Sequence, residues 1–169
     1  MRWILDSCTI IYLVKTNLFE NFIKLIKYPL VIDNSVYEEV ITDGKANNYS
    51  DAFKAEKLLK RNKIPVISID ISEDLVLFRD AGETSCYILA RDDGICITSD
   101  DRAYKKFINQ GQKAIRLDTF FFNKCIEKLL TENNFIEILK KLESVNATKP
   151  KSILFFIEKL KEKKKEEIK

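Results

Sequence analysis

Asp6, Glu39, Glu83 and Asp100 are scattered along the chain, yet each ends a short apolar run or belongs to the helical pattern after one. Their settings read Trp3-Ile4-Leu5-Asp6-Ser7, Ser35-Val36-Tyr37-Glu38-Glu39-Val40, Gly82-Glu83-Thr84-Ser85-Cys86 and Ile97-Thr98-Ser99-Asp100-Asp101. In an open parallel sheet, ligands sit beyond the carboxyl ends of the strands, where neighbouring crossovers diverge. If the first and fourth strands are neighbours, Asp6 and Asp100 meet at such a crevice and the two helices flank them. Two carboxylates about 4 Å apart repel by roughly 4 kcal/mol at an effective dielectric near 20. A divalent cation reverses that sign. Oxygen donors without His or Cys favour Mg²⁺ or Mn²⁺ over zinc. The chemistry such a set supports is phosphodiester hydrolysis, with an activated water and a neutralised leaving oxygen.

Each acid also has an ordinary structural explanation. Asp80 with Glu83, Thr98 with Asp101, and Ser35 with Glu38 all have the spacing of helix capping boxes. The last would assign Glu38 to structure and leave Glu39 for the site, although both border the same apolar face. Asp6 follows Trp3-Ile4-Leu5 and precedes Ile10-Ile11, so it is expected to be partly buried, where a structural hydrogen-bonding role competes with a chemical one.

The elements that must position these acids are legible as apolar runs rich in Ile and Val at Arg2 to Leu5, Leu30 to Ile32, Pro65 to Ile69, Ile95 to Thr98 and Lys113 to Leu117. Helical patterns alternate with them at about Thr9 to Val14, Leu18 to Lys27, Val36 to Thr42, Asp51 to Asn62, Glu83 to Arg91, Arg102 to Gln110 and Thr119 to Leu130. Alternation of this kind predicts an α/β fold: three layers, with a central, mostly parallel five-stranded sheet between helices. Two further amphipathic helices are expected at about Asn134 to Leu142 and Lys151 to Lys165. Phe135, Ile138, Leu139 and Leu142 repeat at i, i+3, i+4, i+7, as do Ile153, Phe156, Ile157 and Leu160. The division expected is residues 1–130 as the sheet domain and 131–169 as a helical extension that covers the domain or a partner chain.

The 169 residues, 46% hydrophobic and 33% charged, read as one globular domain with a real core. The formal charge of +3 is concentrated at the end, where residues 149–169 carry eight Lys and four Glu. The complete lack of His removes histidine triads, histidine general bases and His-ligated zinc. Cysteines at 8, 86, 96 and 125 form no C-x-x-C pair and read as reduced, mostly buried thiols. The opening Met-Arg-Trp-Ile-Leu-Asp lacks the apolar stretch of a signal peptide and no run is long enough to span a bilayer, so a cytoplasmic protein without membrane contact is expected. Lys105 and Lys106, one turn beyond Asp100, are candidates for contacting substrate phosphates, as are Lys24 and Lys27 on an early helix, against the plain alternative of solvated surface charge.

In this order, the acidic segments resemble those of the PIN-domain nucleases. The first strand of that family ends in Asp-Ser/Thr before an apolar helix, as Leu5-Asp6-Ser7-Cys8-Thr9-Ile10-Ile11 does here. Glu39 takes the place of the second acid, Gly82-Glu83 resembles a branch with Gly-Glu at the third, and Thr98-Ser99-Asp100 reproduces the fourth. The similarity spans residues 2 to 122 and lies in the ordered set, since any one piece is weak. It implies Asp6, Glu39, Glu83 and Asp100 as catalytic residues, and Asp6, Glu83, Asp100 and Asp101 as ligands of Mg²⁺ or Mn²⁺. It implies an endoribonuclease acting on single-stranded or loop RNA, with a role as the toxin of a toxin–antitoxin pair or in RNA processing. The two last helices are similar to an extension in a toxin-like branch, whereas compact VapC-type toxins end sooner. An antitoxin protein and a second copy of the chain, as a homodimer, are the partners that follow. The departure is Glu in place of Asp at position 83, one methylene longer.

Two readings from other classes compete. One is a catalytically weak PIN-like module that binds RNA or a protein through its helical tail. The other is a phosphotransfer domain, which would need a Lys ending a late strand that the chain does not offer. A dinucleotide site ranks lower still, because Asp6-Ser7-Cys8-Thr9 follows the first strand without a glycine-rich loop.

Overall fold

The computed structural model describes residues 1–72, 78 and 80–167. Five parallel strands, β1 (Arg2–Leu5), β2 (Leu30–Asp33), β3 (Val66–Ile67), β4 (Gly94–Ile97) and β5 (Ala114–Ile115), form one sheet in the order β3-β2-β1-β4-β5. Helices lie on both sides, as the alternating pattern predicts. β1 is central, and Ile4 and Leu5 are fully buried. β3 and β5 are two-residue edge strands, shorter than the runs Pro65 to Ile69 and Lys113 to Leu117. An edge has only one neighbour to hold it in register, so the pairing stops early.

The order of the strands fixes where the crevice is. From β1 the chain steps to β2 and β3 on one side, through α1 (Ser7–Lys15), α2 (Phe19–Leu25), α3 (Asn34–Tyr37), α4 (Gly44–Ala46) and α5 (Ser50–Arg61). It then jumps across β1 through α6 (Ala81–Asp93) into β4, and through α7 (Asp101–Asn109) into β5. Right-handed crossovers in opposite directions send helices to opposite faces. The switch point falls between β1 and β4, which pair directly with Leu5 opposite Ile97. The adjacency assumed from fold rules is the one present.

Between α3 and α4 the helix widens into a π turn, Glu38–Asp43, where the sequence predicts an unbroken α-helix. α3 is capped by Asp33, whose carboxylate accepts Ser35 N–H at 2.8 Å and Ser35 Oγ at 2.5 Å. The Ser35/Glu38 box is therefore not the cap, and Glu38 instead accepts a bond from Asn34 Nδ2 at 2.8 Å.

The chain divides into two compact units, Met1–Leu117 and Asp118–Lys169. The second consists of most of α8 (Leu117–Ile126) with α9 (Glu132–Ser144) and α10 (Pro150–Glu167). Within it Phe122 meets Phe135 and Phe156 with ring centroids 5.8 and 4.9 Å apart, and Phe135, Ile138, Leu139 and Leu142 are buried. Thr148 Oγ1 donates to the buried Asp118 Oδ2 at 2.7 Å, closing the α9–α10 connection onto α8. Among the described residues no helix is long and apolar enough to cross a membrane.

Candidate active site

Asp6 is the residue at which β1 turns into α1. Its N–H reaches Ile97 O of β4 at 3.4 Å, and its side chain caps α1 by accepting Thr9 N–H at 2.8 Å. Both carboxylate oxygens also receive the Cys8 thiol, at 3.0 and 3.2 Å. Burial pushes the Asp6 carboxyl above the ordinary range, and hydrogen bonds from Thr9, Thr98 and Cys8 partly offset that. Burial and then the Asp6 charge push the Cys8 thiol well up, so it serves as a protonated donor. Capping and a place at the switch point belong to the same side chain.

Asp100 is the matching residue of β4. Its Oδ1 caps α7 by accepting the N–H groups of Arg102 and Ala103 at 2.7 and 2.8 Å, and its own N–H is held by Thr98 Oγ1 at 3.1 Å. The Thr98/Asp101 capping box is thus replaced by Asp100 itself. Thr98 is fully buried between the two acids, since its hydroxyl also helps hold the Asp6 carboxylate. Asp101, the first residue of α7, forms an ion pair with Arg116.

Glu83 opens α6, where Asp80 is the N-cap and accepts Glu83 N–H at 2.6 Å. Burial raises the Glu83 carboxyl, followed by the charges of Asp80, Asp100 and Asp6, with Lys106 opposing. Three of the four expected acids therefore sense one another electrostatically. Lys106 stands with Nζ 4.4 Å from the Phe78 ring centre, on the Glu83 side of the site, while Lys105 is exposed.

Glu39 arrives by a different route. The π turn presents it to Ser7, whose Oγ donates to Glu39 Oε2 at 2.5 Å. It also abuts Gly82: a Cβ built there would lie 3.2 Å from Glu39 Oε2 and 3.6 Å from Asp80 Oδ1. The bare backbone at Gly82 is what lets the start of α6 pass close beside the Glu39 carboxylate. The structure gives Ser7 and Thr98, which the sequence offers only as parts of the acidic motifs, hydrogen-bonding roles, and it adds Tyr12 and Arg116 to the surroundings of the acids. Burial raises the Tyr12 phenol, and the charges of Cys8, Asp6 and Asp100 add to it while that of Arg116 opposes. Ser7 had a usable signal, because it directly follows the strand-ending acid.

Among the described residues no group of three or more Asp, Glu or Cys side chains is drawn together as a ready metal cluster. The donor set still suits a hard cation. It is oxygen-only, one member is raised by burial first and by its like-charged neighbours second, and Mg²⁺ needs only one or two carboxylates when waters and substrate oxygens complete its shell.

A family model described as PIN domain matches residues 2–115, so the chain belongs to the PIN domain family. Its fold is accordingly that of a nuclease. A domain of a functionally unknown protein from Methanocaldococcus jannaschii is similar at 20% identity, with a TM-score of 0.49, covering 69% of this chain and 90% of that one. No curated protein matches the chain.

Proposed function

We propose that the chain is a metal-dependent endoribonuclease that hydrolyses phosphodiester bonds of single-stranded or loop RNA, acting as the toxin of a toxin–antitoxin pair or in RNA processing. The observation that supports this is that Asp6 and Asp100 follow the paired strands β1 and β4 at the switch point, each capping the next helix, with Glu83 near enough to feel both charges. Asp6, Glu83 and Asp100, with Asp101 beside them, would hold Mg²⁺ or Mn²⁺. When bound, such an ion supplies charge neutralisation at the phosphate and lowers the pKa of an attacking water.

The chain's own residues do the rest. Asp6 and Asp100 are fixed by the helix N-termini they cap, so their carboxylates cost little reorganisation when substrate arrives. Glu39, steadied by Ser7, would accept a proton from water. Lys106, and Lys105 beyond it, would attract the RNA backbone, and Arg116 would add positive charge near Tyr12. An antitoxin protein and a homodimeric partner remain the expected protein contacts, in the cytoplasm.

Because Asn caps helices about as well as Asp, Asp6→Asn and Asp100→Asn keep the fold while removing charge. With Mn²⁺ and a labelled single-stranded RNA, each should abolish cleavage without a large change in melting temperature. A wild-type protein that cuts no RNA under these conditions overturns the reading. A second reading, a PIN-like module that binds RNA or protein with weak or no catalysis, is favoured by the lack of a ready three-donor cluster among the described residues. Titration calorimetry with Mn²⁺ separates the two, since the module would show no metal binding.

A further inference from the structure

A cavity of about 320 Å³ opens beside the acids, walled by Ile11 of α1, Val40 of the π turn, and Ala52 and Ala55 of α5. Glu39 belongs to its lining as well as to the acidic site, so the two spaces share a wall. The volume lies at the lower end of the range for small-molecule pockets, about 300–1,000 Å³. It suits one flat ring system.

The cavity has a defined shape for local reasons. A Cβ at Gly44 would lie 2.8 Å from Ala52 Cβ, so the glycine lets the end of the π turn touch α5. Lys45 ties the same two elements together, donating to Glu56 Oε2 at 2.5 Å while standing over the Phe53 ring. π turns recur where function demands a side chain out of α-helical register.

At its rim stand Tyr49, 62% exposed, and Asp43, whose carboxylate makes no hydrogen bond or ion pair with any described residue. Asp51 is engaged only loosely, 3.7 Å from Lys15 Nζ. An exposed aromatic ring beside an apolar slot is what an unstacked base stacks against. Lys15 also lines the cavity and stands by Asp51, so the carboxylate left at the rim is that of Asp43, which rewards N–H donors. Guanine is the base whose pairing edge offers two adjacent N–H donors to one carboxylate.

We propose that this cavity is a base-recognition subsite that takes one unstacked guanine of the RNA, stacked on Tyr49 with its amino edge toward Asp43. The proposal rests on the nuclease reading above, and it names the sequence preference of that site. Through the shared Glu39 wall, a base seated here leaves its neighbouring phosphate directed to the acids.

The test is equilibrium binding by fluorescence anisotropy in chelator, without divalent metal, so that cleavage is not needed. The probes are labelled octauridylate, the same RNA with a single internal guanosine, and the same RNA with inosine there. The guanosine RNA should bind roughly tenfold tighter than octauridylate, the scale of one base–aromatic contact. Inosine, lacking the exocyclic amine, should fall between, and Tyr49→Ala and Asp43→Asn should each erase most of the difference. Equal affinities for all three RNAs, or a guanosine preference that survives both substitutions, overturns the subsite. RNA cleavage indifferent to these variants would leave the nuclease standing and the subsite refuted. A Tyr49-dependent guanosine preference in a protein that cuts no RNA would do the reverse.

Discussion

Ser7 Oγ donates a 2.5 Å hydrogen bond to Glu39 Oε2, joining the first turn after β1 to the π turn after β2. This bond fixes the one acid of the four that no strand end or helix cap positions. Ser7→Ala should cost about 1–2 kcal/mol, as expected for a partly buried bond to a charged acceptor. Cleavage should fall about tenfold, the lower bound for losing a residue that orients a site carboxylate. Thermal melts and single-turnover rates check the two parts, and an unchanged rate would remove Glu39 from the mechanism.

Gly82→Ala separates local propensity from site geometry. Alanine in a helix is favoured over glycine by about 1 kcal/mol, yet its Cβ would lie 3.2 Å from Glu39 Oε2. Stability is expected to stay within about 1 kcal/mol of wild type while RNA cleavage drops by more than tenfold. A fully active variant would show that Glu39 can move aside without consequence.

Metal and protons should compete at the switch point. Asp6 and Glu83 both have raised folded-state carboxyls, chiefly from burial. A raised carboxyl adds stability that is complete below its unfolded value and lost as pH rises through the folded value. The metal-free protein thus gives up stability toward neutral pH, where a cation binds best. Saturating Mg²⁺ or Mn²⁺ should raise the melting temperature more at about pH 7.5 than at about pH 5. Chelator should reverse the gain, and an equal gain at both pH values would mean that these carboxyls are not the ligands.

Asp33 is an acid at a strand end whose work is structural. It is 2% exposed, and its carboxylate takes Ser35 N–H, Ser35 Oγ and, at 3.2 Å, Ile69 N–H from the segment after β3. Asp33→Ala should destabilise the protein by about 2–3 kcal/mol through the lost cap and the orphaned donors. Below the melting range its cleavage rate per folded molecule should match wild type. A rate loss in the folded protein would place Asp33 in the chemistry.

The alternation of Ile- and Val-rich runs with helical patterns was enough to read the parallel sheet, because buried strands leave a continuous apolar signature. The stripe Phe135, Ile138, Leu139 and Leu142 was equally plain, and all four side chains are buried. Caps were harder. Asp33 displaced the Ser35/Glu38 box because one of its partners, Ile69, is 36 residues away, and Asp100 displaced Thr98/Asp101 by taking two N–H groups at once. Likewise Thr98, between Asp6 and Asp100, shows its role only once β1 and β4 are side by side. Periodicity does not choose between Glu38 and Glu39, because both border the same apolar face, and the π turn that sends them to different partners has no period of its own in the sequence.

That widened turn has a consequence for how the neighbouring glutamates divide their labour. Glu38 now faces Asn34 while Glu39 faces Ser7, and a single-residue deletion that tightened the turn would rotate the pair by about 100°. Which carboxylate serves the crevice is a question of helical phase, not of identity. A sequence comparison by column alone could therefore align the wrong acid.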